Sequence, residues 1–229
     1  MPEDTLADYP FPLTRLSGDH IESDLLRIRS VGASLGTIPV IIGDRESAER
    51  LIELWDEPFD HDAELARSSE LSPEQWFADR RQEEDEYLLD ASQDEIHPDG
   101  TAPMTHLTIG SDHRGRPKSE VFIATIPTAD SSAVPIFLRF GDWNACPSPH
   151  VHTAMARYWR DRFGAEIATL SSDVIEFTVA RPPADDTQAL ELAWQQYLYC
   201  SDIVDQGVGS VATLAKALRH STRWYFWWD

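Results

Sequence analysis

Trp224-Tyr225-Phe226-Trp227-Trp228 is an unbroken row of large aromatic side chains. Packed rings bury about 150–250 Å² each, so leaving the row in water forfeits several kcal/mol. Bulk and β-propensity make Arg223–Trp228 a strand. Successive strand side chains point to opposite faces, so Trp224, Phe226 and Trp228 face one way and Tyr225 and Trp227 the other. Aromatics on both faces suit an inner strand better than an edge. One face is core; the other is covered by helices or is a binding surface.

The preceding residues supply further sheet and its helices. Val134–Phe140 reads as a strand. Ser148-Pro149 then starts a helix to about Phe163, with Val151, Ala154, Met155, Tyr158, Trp159 and Arg162 on its inner face. Ala165–Leu170 and Val174–Ala180 read as strands around a short turn. Asp185 or Asp186 starts a helix that turns Leu190, Ala193, Trp194, Tyr197 and Leu198 inward. Asp202–Gly209 is a turn-rich connection, and Ser210 caps a helix over Val211–Leu218. The class is α+β, a mixed or antiparallel sheet with helices packed on it. The βαββαβ order of the C-terminal half matches a ferredoxin-like arrangement.

Upstream, Ile38–Gly43 is a short buried strand, and Asp44 caps a helix over about 44–56. Ser72-Pro73 starts another helix that carries Trp76 and Phe77. Thr105–Ile109 and Glu120–Ile126 flank a polar Gly/Pro turn and read as a hairpin. The organisation expected is an acidic, helix-rich region over 1–103 with one strand at 38–43, then an α+β domain over 104–229. One continuous domain is the other option.

Charge separates these parts. The net charge is −21, and residues 44–99 alone hold 20 acids and 5 bases. Such a field repels phosphate backbones, so nucleic acid is not expected as a partner; it allows a basic protein, and a solvated face that keeps the protein soluble is the plainer reading. No apolar run approaches the roughly 20 residues that span a bilayer, and Met1-Pro2-Glu3-Asp4 lacks the basic start of a signal peptide. The cytoplasm is the expected location, with no membrane partner. There, Cys146 and Cys200 are expected as buried thiols.

Three stretches are distinctive: Gly141-Asp142-Trp143-Asn144-Ala145-Cys146-Pro147-Ser148-Pro149, Tyr199-Cys200-Ser201-Asp202-Ile203-Val204-Asp205-Gln206-Gly207, and Trp224–Asp229. With Arg157-Tyr158-Trp159 and Arg181-Pro182-Pro183, they resemble the bacterial domain-of-unknown-function family 4253 over roughly 134–229. The resemblance implies a shared fold and brings no catalytic or binding residues.

Chemistry has a few candidates. Cys146 precedes a helix start, where free N–H groups favour a thiolate, and His150 or His152 could complete a Cys–His nucleophile. Asp202 and Asp205 could serve as acid–base carboxylates, although both sit where turns and caps are expected. His150 and His152 are two positions apart and point about 200° from one another on a helix, a poor geometry for a shared metal. Neither a metal nor another cofactor is expected. Candidate binding residues are Asp142, Trp143, Asn144 and Gln206, with the acidic run Glu83, Glu84, Asp85 and Glu86. The leading expectation is a protein-binding module with acidic and aromatic surface, toxin neutralisation being one such role. The alternative is a hydrolase-type enzyme using Cys146, His150 or His152 with Asp202 or Asp205. Oligomeric state is not legible.

Overall fold

The computed structural model describes residues 6–83 and 96–229. Its centre is a mixed sheet of six strands in the order β1-β3-β2-β4-β5-β6. The strands are β1 (Leu13–Leu16), β2 (Ile38–Gly43), β3 (Val121–Ile126), β4 (Ala165–Leu170), β5 (Val174–Val179) and β6 (Arg223–Trp227). Neighbours are antiparallel except β2 and β4, which run parallel. Strands from both parts of the chain therefore share one sheet. The ferredoxin-like arrangement is not confirmed: β2 stands between β3 and β4, and β4, β5 and β6 follow in sequence.

Local chemistry sets the helices. Helix α1 (Ile21–Leu35) ends at Gly36, whose φ of 66° favours glycine. Asp44 caps α2 (Arg45–Glu53) by accepting from Ser47 N, and Asp60 caps α3 (His61–Glu70) in the same way. Ser72 accepts from Gln75 N at the start of α4 (Pro73–Glu83). After β3 come a short α5 (Val134–Phe137) and α6 (Pro149–Phe163), which stops at Gly164. Asp185 caps α7 (Asp186–Tyr199), a π-helical turn covers Ile203–Val208, and Ser210 caps α8 (Val211–Leu218). Among the described residues, no helix is long and apolar enough to cross a membrane.

The period-two pattern of the strands divides the core. Val40, Ile42, Phe122, Ala124, Trp224, Phe226 and Trp228 join the larger cluster, whose centre is Trp159 of α6. Trp159 is fully buried and stacks on Phe226, with centroids 5.5 Å apart and an interplanar angle of 2°. Ile41, Val121, Ile123 and Ala168 join a smaller cluster with Ile21 and Leu25 of α1. The inner strands β2 and β3 are thus buried on both faces.

Several expectations are corrected. Val134–Phe140 is helical at its start, not a strand. Pro135 falls in the first helical turn, where its missing N–H costs nothing, and residues 131–136 are buried without alternation. Thr105–Ile109 forms no strand. Its backbone is held by carboxylates instead: Leu107 N donates to Glu22 at 2.7 Å, and Thr108 N to the buried Glu176 at 2.6 Å. β3 pairs with β1 and β2. Arg162 and Leu190 are exposed, and Trp194 is half-buried beneath the Arg81 guanidinium. β6 lies at the sheet edge, not inside it: β5 is its one strand neighbour, and the residues after Trp227 bring no further strand to its other side.

Candidate functional site

The loop after α5 is where the backbone departs furthest from ordinary geometry. The non-glycine residues of positive φ are Arg139, Asp142 and Asn144, with Gly141 at 120° between them. Only glycine fits at 141, since a Cβ there would lie 2.0 Å from Pro147 O. Short polar Asp and Asn tolerate the left-handed region better than most residues. Arg139 anchors the loop by donating to Trp55 O and Glu57 O at 3.2 and 3.0 Å.

This loop delivers Cys146 to the inner side of α6. Its Sγ lies 3.4 Å from His152 Nε2, and His152 Nδ1 lies 2.5 Å from the Tyr199 hydroxyl. The three form a line resembling a Cys–His–Tyr triad, but all are buried. Burial drives His152 down to about 3, so its ring is neutral. Burial raises the Cys146 thiol, helped by Cys200 and Asp142, and it raises Tyr199 as well. Cys200, pushed up to about 12 by burial, donates its thiol to Trp227 O at 2.9 Å. An activated nucleophile needs the opposite shift and access to solvent.

His150 points elsewhere. Its Nδ1 is 2.9 Å from Glu64 Oε2 on α3 and 3.1 Å from Ser148 Oγ. Asp142 is raised by burial and by the charge of Glu64. The two histidines therefore part company, and among the described residues no group of three or more His, Cys, Asp or Glu is placed to hold a metal.

The other candidates converge near β6. Asn144 Nδ2 donates to Asp229 O at 2.7 Å, Asp229 N donates to Asp202 at 3.3 Å, and Gln206 Nε2 donates to Asp202 at 2.9 Å. Trp143 is half-buried, edge-on to Phe140. Asp205 is exposed on the π-helical turn. Glu83 is exposed and 3.7 Å from Arg80; Glu84, Asp85 and Glu86 lie outside the described residues.

Beside these residues opens a pocket of about 330 Å³. Tyr225 and Trp227 of β6, Leu214 and Leu218 of α8, and Val208 and Met104 make it apolar, and Asp202 and Gln206 also line it. Three further lining residues carry buried nitrogen donors without partners: Gln196 Nε2, Arg223 Nε and Trp224 Nε1.

The loop, the π-helical turn and β6 are the three distinctive stretches of the sequence, now side by side. Residues 122–229 match the family model of a domain of unknown function, DUF4253. No curated protein and no solved structure matches the chain. The DUF4253 part supplies most of the pocket, while Gly100, Ala102 and Met104 close it from outside the matched residues. Tyr199, Gln196 and Glu64 are missing from the sequence-derived candidates. Tyr199 and Gln196 lie within a turn of Cys200 on α7, which was the available signal; Glu64 had none.

Proposed function

We propose that this protein is a binding module that holds a segment of a basic partner protein against β6, in a cytoplasmic setting where Cys146 and Cys200 stay as thiols. The observation that carries this reading is the apolar pocket, which the three distinctive stretches line or brace. Aromatic side chains at a concave, half-exposed site are common anchors for a partner. Asp202 in its lining, with a net charge of −21 on the whole chain, favours a cationic segment.

A phage-displayed library of random linear peptides tests it. Selection should converge on sequences with Lys or Arg around an apolar residue. Ala102→Trp fills the pocket from an exposed position, and Gly207→Leu is sterically open, since an added Cβ meets only Asp202 O at 3.5 Å. Both variants should lose the selected peptide and keep the wild-type melt. No convergent sequence, or one indifferent to both variants, would overturn the reading.

The hydrolase alternative rests on the Cys146–His152 contact. It requires the thiol to be reachable, and iodoacetamide measures that. Alkylation of Cys146 at the rate of an exposed thiol in the folded protein would favour the enzyme.

A further inference from the structure

The edge of β6 is covered at both ends and open in the middle. At one end, Met104 O accepts from Thr222 N and Arg223 N at 2.9 and 3.1 Å. At the other, the Cys200 thiol occupies Trp227 O. The contacts Val179 N to Thr222 O and Trp228 N to Asp173 O fix which residues face β5. Antiparallel alternation then turns the backbone of Trp224 and Phe226 toward β5 and that of Tyr225 outward. The N–H and C=O of Tyr225 and the N–H of Trp227 thus form a short row beside the pocket that has no partner among the described residues.

We infer that the partner segment binds as an added strand on β6, exchanging backbone hydrogen bonds with Tyr225 while one apolar side chain enters the pocket. This inference rests on the reading of the protein as a binding module. An unpaired edge is a template for another chain, and a pocket beside it selects alternate side chains. The segment is cationic because Arg223, the one basic side chain that lines the pocket among the described residues, already pairs with Glu22 at 2.6 Å, whereas the half-buried Asp202 adds a carboxylate to the lining. A second copy of this chain is a poor occupant, since each copy carries −21.

N-methylation along the selected peptide tests the geometry. Methyl groups on alternate residues that face β6 should each weaken binding by about tenfold or more, and those on intervening residues should not. Tyr225→Pro removes the outward N–H while sparing the ladder to β5, as proline does on an edge strand. It should weaken the peptide by a similar factor with a cooperative melt retained. Uniform tolerance of N-methylation would mean side-chain capture only: strand addition would be overturned and the binding reading would stand. Failure of the library to yield any peptide would overturn the binding reading itself. A concentration-dependent dimer in sedimentation velocity, lost in Tyr225→Pro, would assign the edge to a second copy and overturn the inference.

Discussion

Two aromatic regions meet at β6 and differ in how far they are closed to solvent. On the helix side, Trp224, Phe226 and Trp228 pack around Trp159, and the imidazole buried among them, His152, has Cys146 on one nitrogen and Tyr199 on the other. At the outer edge, Tyr225 and Trp227 are half-exposed beside an open pocket, and the backbone N–H and C=O of Tyr225 turn away from β5. A polar group with its partners supplied inside the fold is spoken for. A polar group left without one, beside open space, is available to a ligand. By that contrast the Cys–His pair is architecture and the edge is the working surface.

The largest effect should come from removing the packed side. Deleting residues 223–229 takes away Trp224, Phe226 and Trp228 together and should abolish the cooperative thermal transition. Phe226→Ala alone should cost about 3–5 kcal/mol. A soluble truncated protein with a near-native melt would erase the contrast.

Next in size is the pH response of His152. Its folded pKa of about 3 lies below the ordinary 6.5, so the unfolded chain binds the extra proton. Its contribution is complete above pH 6.5 and is lost as pH falls toward 3, on the order of 5 kcal/mol in all. In chemical denaturation from pH 7 to pH 4, His152→Gln should lose less stability than wild type. Equal slopes would mean the ring is not held neutral.

Cys146 sharpens the same point kinetically. Its alkylation by iodoacetamide should be slow and should track unfolding in denaturant. The smallest effect concerns charge. Replacing Glu83, Glu84, Asp85 and Glu86 by their amides should slow association of a basic peptide by a few-fold and flatten its salt dependence, leaving the melt unchanged. An affinity that ignores both would leave the acidity as a matter of solubility.

Much of this was legible where the signal is local. Asp44, Ser72, Asp185 and Ser210 each start the helix expected of them, because a cap acts within three residues. The aromatic strand followed from composition, but its edge position did not, because strand order depends on pairing across the chain. Val134–Phe140 misled as a short apolar run, although Pro135 suits the first turn of a helix. Thr105–Ile109 is held by Glu22 and Glu176, contacts that no window of sequence contains. Cys146 and His152 were legible as a pair; that both are buried and neutral was not, since burial comes from α7 and β6 folding over them.

Amide hydrogen exchange along β6 tests the central claim most directly, with no partner required. The account predicts alternation in the free protein: slow exchange at Trp224, Phe226 and Trp228, and fast exchange at Tyr225 and Trp227. Adding the selected peptide should then slow Tyr225. Uniform protection along β6 in the free protein would show an edge already covered, and would contradict it.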